Sequence, residues 1–240
     1  MVCVNSEFSI TEDQEIMNLA LNYNKMLWNS IASYMRGRVL EVGSGIGNFT
    51  EKIIELGEVD SITCFEIDKS CCKRFKENLG SNRNWSKVTL YEYDFNQSDL
   101  KDHFELIYSF NVLEHIKEDR TTVEMLVKYL KPGGWLFLYL PAMKCIYGSI
   151  DKELLHYRRY NKGMIRKLFT GLPIEIVNMK YCNMLGVVGW FYTNRILKRK
   201  SQSPSMVVFY DRYIFPLAYT IERFLPKIFG SNLFVSIKKK

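Results

Sequence analysis

The chain has 240 residues, a formal net charge of +7 and 47% hydrophobic residues. This length and composition are typical of a globular protein with a sizeable core, which excludes a disordered or fibrous chain. We expect neither a secretory signal nor a membrane-spanning helix, because no charged start precedes an apolar stretch and no run of roughly 18 apolar residues occurs. The six cysteines lack paired C-x-x-C spacing, so we expect free thiols and a cytoplasmic location.

The charges are distributed unevenly along the chain. Residues 1–150 carry 16 Lys and Arg against 21 Asp and Glu, whereas residues 151–240 carry 17 against 5. A basic C-terminal part predicts an acidic partner, which is an anionic substrate, a membrane surface or a nucleic acid. A solvated basic face explains the charge equally well.

Residues 1–37 are interpreted as an N-terminal helical cap, because Ile16, Leu19, Tyr23 and Leu27 recur at helical spacing. A short apolar strand follows at residues 39–42. It ends in three glycines, Gly43, Gly45 and Gly47, and a helical pattern begins near residue 48. Glycines tolerate positive φ and carry no Cβ, and a helix N-terminus leaves amides free, so this segment predicts a ligand held against bare backbone.

The spacing of the glycines distinguishes between two kinds of ligand. The dinucleotide fingerprint G-x-G-x-x-G requires a third small residue at position 48, which is Asn48 here. The observed pattern, E-x-G-x-G-x-G, resembles motif I of the class I S-adenosylmethionine (SAM) methyltransferases. The resemblance implies that SAM is the cofactor and S-adenosylhomocysteine the product. It also implies that the following residues bind the cofactor: Glu41, Gly43, Ser44, Gly45 and Gly47.

Four later segments strengthen the resemblance, which covers residues 38–141. Strands are predicted at residues 61–67, 88–93, 104–110 and 136–140, and the last of them follows the turn L-K-P-G-G at 130–134. The resemblance implies a ribose contact from Glu66 and Ile67, although Asp68 competes for this role unless it caps the next helix. It further implies an adenine contact from Asp94 and Phe95. The remaining implied cofactor residues lie at the end of the strand predicted at 104–110: Ser109, Phe110 and Asn111.

Alternation of strands and helices predicts an α/β fold with a parallel sheet covered by helices on both faces. Ligands then lie at the carboxyl ends of the strands. The resemblance implies a Rossmann-like sheet of seven strands in a single domain, 1–240, with a sixth strand at 174–181. It places the seventh strand, 233–237, antiparallel beside the sixth, after a helical insertion at 183–231. This aromatic and basic insertion is interpreted as a lid over the acceptor, as a membrane-contacting element, or as ordinary packing onto the domain.

The implied chemistry is displacement of the SAM methyl group by a nucleophile of the acceptor. A base is needed only where that nucleophile holds a proton. His156 is the preferred base, and His115 and Tyr147 are further catalytic candidates. The segment H-Y-R-R-Y also supplies candidates for acceptor binding, although a structural bridge between sheet and lid explains it equally well. These candidates are Tyr157, Arg158, Arg159 and Tyr160.

H-Y-R-R-Y resembles a bacterial subgroup often associated with glycosyltransferases, which implies a sugar-like or lipid-linked acceptor. Some SAM O-methyltransferases hold a metal ion with E-x-x-E-H, but Asn111 replaces the first carboxylate here, so no metal is expected. A nucleic-acid substrate is not expected either. Neither [D/N/S]-P-P-[Y/F/W] after the fourth strand nor a Pro-Cys nucleophile is present.

The sequence therefore predicts a SAM-dependent methyltransferase that acts at oxygen on a small or lipid-linked, and in one interpretation anionic, acceptor. It is expected to be cytoplasmic, with peripheral membrane contact through the C-terminal part as an open alternative. Three other functions remain open: an oxidoreductase on a dinucleotide fold, an RNA methyltransferase, and a non-catalytic SAM-binding partner subunit.

Overall fold

The computed structural model describes residues 10–100 and 103–240. Seven strands form one sheet: β1 (Gly37–Val42), β2 (Val59–Phe65), β3 (Val88–Tyr91), β4 (Phe104–Phe110), β5 (Leu130–Pro141), β6 (Ile174–Cys182) and β7 (Asn232–Lys239). Their order across the sheet is β3-β2-β1-β4-β5-β7-β6. Strands β1 to β5 pair in parallel, while β7 runs antiparallel to both β5 and β6.

Helices surround this sheet within the described residues. They are α1 (Ile10–Asn18), α2 (Leu21–Ile31), α3 (Asn48–Ile54), α4 (Lys69–Leu79), α5 (Asp119–Tyr129), α6 (Ser149–Glu153), α7 (Lys162–Leu168), α8 (Met184–Phe191), α9 (Pro204–Phe209) and α10 (Phe215–Glu222). A π-helical turn follows α8, and a second joins α9 to α10. In the part of the chain that the structure describes, no helix is both long and apolar enough to cross a bilayer.

The central strands are apolar on both faces because helices cover both faces. Neighbouring residues of β1 belong to different cores: Leu40 packs on the side of α5 and α7, and Val39 packs on the side of α2, α3 and α4. Both side chains are fully buried. This arrangement places the carboxyl ends of β1 and β4 side by side at one edge of the sheet.

The predicted fold class is confirmed, including the antiparallel seventh strand and the helical insertion before it. One local prediction is wrong. The segment L-K-P-G-G does not precede the fifth strand as a separate turn but lies inside β5. Phe104 pairs with Leu130 and Leu106 with Trp135, so the register shifts here and residues 131–134 bulge out of the ladder between the two paired residues.

A buried carboxylate fastens the insertion to the N-terminal helices. Ala20, at the N-cap of α2, offers no side-chain acceptor. Asp211 of the insertion takes this place, since its carboxylate accepts the backbone amides of Asn22 at 2.9 Å and Tyr23 at 2.8 Å. The described part of the predicted cap is thereby linked to the predicted lid. Residues 1–9 of that cap lie outside the described residues.

Replacing Asp211 with Ala removes the acceptor for two amides in the first turn of α2. We expect the free energy of unfolding to fall by about 1–2 kcal/mol, the usual cost of a lost helix cap. Urea denaturation measures the change. Asp60→Ala, which removes an exposed carboxylate near the start of β2, is the matched control and should change this energy by less than about 0.5 kcal/mol. Equal losses in the two variants would contradict the capping role.

Candidate functional site

The glycine loop after β1 adopts a backbone that other residues rarely reach. Gly43, Gly45 and Gly47 have φ angles of 80°, 54° and 89°. A Cβ atom on Gly43 would lie 2.1 Å from a methyl group of Val112, so only glycine fits at this position. The Gly43 amide also donates to the carbonyl of Phe65 at the end of β2. The loop is thus held against the neighbouring strand while its main chain faces the sheet edge.

Glu66, directly after β2, organises this loop from below. Its carboxylate accepts the amides of Gly45 at 2.8 Å, Ile67 at 2.8 Å and Asp68 at 2.9 Å. Burial raises the pKa of Glu66, although the three amides oppose this shift. A carboxylate offers about four acceptor positions, so one remains for a ligand hydroxyl. Binding both ribose hydroxyls would therefore require exchange of one loop amide.

Glu41 lies inside β1, beneath the loop. Its carboxylate is buried and accepts the hydroxyl of Thr50 at 2.5 Å. Burial raises the pKa of Glu41 to about 7, against the opposing effects of hydrogen bonds from Thr50 and Tyr108. A cationic group of a ligand would lower this pKa again. Glu41 therefore suits a neighbouring ammonium group.

A cavity of about 330 Å³ opens where the carboxyl ends of β1 and β4 meet α1, α2 and the insertion. This volume is within the usual range for small-molecule sites. The cavity brings together five of the cofactor candidates: Glu41, Gly43, Ser44, Phe110 and Asn111. The other cofactor candidates lie outside its lining: Gly45, Gly47, Glu66, Ile67, Asp94, Phe95 and Ser109.

Several of these outer candidates already have protein partners. Asp94 accepts the Asn96 amide at 2.9 Å and caps a short 3₁₀ turn. Phe95 is buried against Phe65, and the hydroxyl of Ser109 donates to the carbonyl of Val42 at 3.1 Å. Ile67, by contrast, is exposed.

The competing acid has a different role. Asp68 accepts the amide of Cys71 at 2.9 Å and caps α4. The prediction that it caps this helix is confirmed.

Three titratable side chains converge in the same cavity. Glu114 and His115 lie in the turn after β4, and His156 comes from the segment after α6. The two imidazole rings meet edge to face with centroids 4.5 Å apart. One ligand atom from each of the three residues lies within 4.8 Å of the others, so the group could hold a divalent cation.

Burial shifts the pKa values of this group in opposite directions. It raises the pKa of Glu114 to about 7, against the opposing charge of His156, and neither carboxylate oxygen has a hydrogen-bond partner within the described residues. Burial and the charge of His156 lower the pKa of His115 to about 3. His115 is therefore neutral and weakly basic at physiological pH, which favours His156 as the proton acceptor.

A buried network orients His156. The carboxylate of Asp151 lies 3.0 Å from His156 Nδ1 and accepts Arg159 Nε at 2.7 Å. It also accepts the side-chain amide of Asn194 at 3.2 Å. Although burial opposes the shift, His156 and Arg159 hold the pKa of Asp151 below its ordinary value. Nδ1 is thereby tied to a carboxylate, and Nε2 remains for a ligand.

Sequence reasoning missed Asp151 and Asn194. An acid five residues before a candidate base was a detectable signal for Asp151. Asn194 carried none, because it reaches the network from the insertion, 43 residues away.

The structure does not gather the whole H-Y-R-R-Y segment at the cavity. Only His156 and Arg159 line it. Tyr157 is exposed, and Arg158 pairs with Asp119 at 2.5 Å. The buried Tyr160 donates to the carbonyl of Leu113.

Tyr147 also lies outside the cavity lining, and its hydroxyl donates to the carbonyl of His156 at 2.8 Å. Arg158 and Tyr160 join the segment after α6 to the turn after β4 and to Asp119 at the start of α5. They are therefore structural contacts of the sheet side, and neither reaches the predicted lid through these bonds.

Comparison with known proteins finds a family match for the middle of the chain. Residues 40–136 match the family model described as "Methyltransferase domain". Malonyl-[acyl-carrier protein] O-methyltransferase 2 of Ilyobacter polytropus is 28% identical over 116 residues, which are 48% of this chain and 43% of that protein. Ubiquinone biosynthesis O-methyltransferase of Nitrosospira multiformis is 26% identical over 99 residues, 41% of each chain. The matched segment thus spans less than half the length of these two relatives.

Among solved structures, the N-methyltransferase NodS from Bradyrhizobium japonicum WM9, in complex with S-adenosylhomocysteine, has a similar fold. The TM-score is 0.56 with 17% identity, and the alignment covers 97% of this chain and 89% of NodS. Gly43 and Ser44 of the glycine loop line the cavity together with Glu41, so main chain and a carboxylate are available there to the amino-acid part of such a cofactor. Residues 40–136 thus match a methyltransferase domain, the whole chain has the fold of the class I enzymes, and this match supports S-adenosylmethionine as the cofactor.

Proposed function

We propose that the chain transfers a methyl group to an oxygen of a small or lipid-linked acceptor in the 330 Å³ cavity. One observation carries this proposal: the carboxylate-bound imidazole of His156 lines the same cavity as Gly43 and Ser44 of the glycine loop. A proton acceptor thus lies in the compartment that the cofactor loop borders. The two curated relatives are both O-methyltransferases, which supports methylation at oxygen.

In this proposal the loop and two acids hold the cofactor. The main chain at Gly43 and Ser44 would hold its amino-acid part, and Glu41 would accept the ammonium group. Glu66 accepts one ribose hydroxyl at its remaining acceptor position. The cofactor supplies a methyl group on a sulfonium, whose leaving group is neutral. The protein therefore contributes mainly alignment, together with removal of a proton where the acceptor carries one.

His156 performs the proton removal. Asp151 at Nδ1 keeps the proton on that nitrogen and leaves Nε2 unprotonated, so Nε2 receives the proton of an acceptor hydroxyl. The resulting imidazolium is stabilised by the same carboxylate. Arg159 keeps Asp151 ionised and packs over the ring of Trp190. His115 contributes position rather than basicity, because its lowered pKa makes it a poor proton acceptor.

The outer wall of the cavity suits an acceptor with an apolar portion. The insertion contributes Trp190, Met206, Val207 and Phe215 to the lining. Arg159 already donates Nε to Asp151 and Nη1 to the carbonyl of Ala142, so it is not a free clamp for an anion. Arg199 is the more available cation in this lining. Such a wall fits a phenol, an acyl thioester or a lipid-linked sugar.

Glu66→Gln tests the loop. The variant replaces one carboxylate oxygen with an NH2 group, which places a hydrogen-bond donor opposite backbone amides that are themselves donors. An unsatisfied buried donor costs about 1–3 kcal/mol. We expect the affinities for SAM and S-adenosylhomocysteine to fall together by about tenfold or more, measured by isothermal titration calorimetry. Asp68→Asn is the control, because Asn still caps α4. Unchanged affinity in Glu66→Gln with a loss in Asp68→Asn would move the ribose contact to Asp68.

Glu41 predicts a pH dependence of cofactor affinity. With a pKa of about 7, this carboxyl is partly protonated at neutral pH. An ammonium group favours the ionised form, so binding should release a proton, and affinity should rise as the pH increases from about 6 to 8. Calorimetry in buffers with different ionisation enthalpies detects the proton. The Glu41→Gln variant should lose the dependence, and a wild-type affinity that is independent of pH would contradict the proposed contact.

His156→Ala tests the base. With a phenolic acceptor, we expect the turnover number to fall by about 10²–10⁴-fold, the usual contribution of general base catalysis, while SAM affinity stays unchanged. A carboxylate acceptor, such as a malonyl thioester, carries no proton to remove and serves as the internal control. Methyl transfer from radiolabelled SAM measures both rates. Normal turnover of the phenol in the variant would remove His156 as the base.

The same assay distinguishes a base from a metal ligand. We retain the interpretation without a metal, because Asn111 supplies no second anionic ligand. Dialysis against EDTA should then leave turnover unchanged. Loss of turnover that a divalent cation restores would assign Glu114, His115 and His156 to a metal site.

A further inference from the structure

The insertion at 183–231 exposes apolar side chains on the outer face of its helices, where a helix pair in water would carry polar residues. Along the π-helical turn and α10, one stripe faces inward: Asp211, Phe215, Ala218 and Glu222 are all buried. The opposite stripe should be polar in a solvated helix. It consists instead of exposed aromatic and aliphatic residues, at spacings that place them on one face. These residues are Tyr213, Leu217, Ile221 and Phe224.

The exposure of this outer surface is large. Leu217 is 64% exposed and Phe224 is 86% exposed. The surface extends onto α8, where Val188 is 68% exposed, and onto Ile228 after α10, which is 69% exposed. Helices α8 and α10 pack against each other, so these side chains belong to one structural unit. Contiguous apolar patches of this kind mark interaction sites.

The exposed charges of the same segment are all positive. Residues 183–231 contain seven Lys and Arg and two Asp and Glu. Both acids are buried and bonded to main chain: Asp211 caps α2, and Glu222 accepts the amides of Asn183 and Met184 at the start of α8. The cations, in contrast, remain at the surface, with six of the seven exposed. The surface of the insertion is therefore apolar and cationic, without an exposed carboxylate among its residues.

We propose that this surface docks on an anionic lipid bilayer, with the aromatic and aliphatic residues inserted at the headgroup level and the cations against anionic headgroups. Apolar and basic residues on one helical element are the combination that interfacial binding requires. A second copy facing the same surface is disfavoured, because it would bring cations against cations. A nucleic acid would satisfy the charge but not the apolar side chains. The proposal does not depend on methyl transfer.

Docking in this way places the cavity at the bilayer. The inner sides of the same helices line the cavity through Gly186, Trp190 and Phe215. An acceptor with a lipid anchor would then reach the cavity without leaving the membrane surface. This consequence rests on the proposed function, whereas the docking itself does not.

Co-sedimentation of the full chain with vesicles tests the docking. We expect binding to phosphatidylcholine vesicles that contain phosphatidylglycerol, weaker binding to phosphatidylcholine alone, and a decrease with added salt. Lys198→Gln combined with Lys200→Gln should weaken binding about fivefold per charge, or roughly thirtyfold together. Phe224→Ser with Ile228→Ser should weaken it at least about tenfold. Because all four side chains are exposed, the melting temperature should not change.

The matched control is Lys73→Gln with Arg83→Gln, which removes the same net charge from exposed positions on and after α4. This variant should bind as the wild type does. Absence of binding to anionic vesicles at low salt, or equal weakening in the control pair, would overturn the proposal. Two other results would also overturn it. Self-association without lipid that Phe224→Ser with Ile228→Ser abolishes would assign the surface to a second copy. RNA binding that only the lysine variants weaken would assign it to a nucleic acid.

Discussion

The site depends on the interaction of one buried carboxylate with three main-chain amides. Glu66 gathers the amides of Gly45, Ile67 and Asp68, and so joins the end of β2 to the loop that leaves β1. The glycines permit the loop conformation, and the amides of Gly43 and Gly47 donate to main-chain carbonyls, but the amide of Gly45 would be unsatisfied without this acceptor. The same carboxylate keeps one acceptor position for a ligand hydroxyl. Loop geometry and the proposed ribose contact therefore depend on the same side chain.

Buried acids serve the same purpose elsewhere in the described chain. Asp211 and Glu222 each accept two amides at a helix start, and Asp151 gathers an imidazole, a guanidinium and two amide groups. Each carboxylate connects segments that are distant in sequence. The helices of the insertion are thus positioned by ionic and hydrogen-bonded anchors. Their outward apolar residues take no part in this positioning.

Most of the sheet, but only part of the site, could be predicted from the sequence. Strand positions followed from apolar runs, and the glycine loop with Glu66 followed from spacing, because these features are local. The bulge at residues 131–134 was not predictable, since it depends on the register of β5 against β4. Asn194 was equally inaccessible to sequence reasoning because its contact with Asp151 exists only in three dimensions. Closeness in sequence within H-Y-R-R-Y suggested a shared function, whereas the backbone directs only His156 and Arg159 to the cavity and the other three side chains elsewhere.

The hydrogen bonds of Asn194 link two parts of the molecule with different tasks. This residue lies in the π-helical turn after α8, donates to Asp151 and accepts the amide of Ile150. Movement of the insertion away from the sheet would withdraw a donor from the carboxylate that holds His156. The orientation of the imidazole therefore depends on the position of the helices of the insertion. A surface that holds those helices in place would also restrict the movement of the proposed proton acceptor.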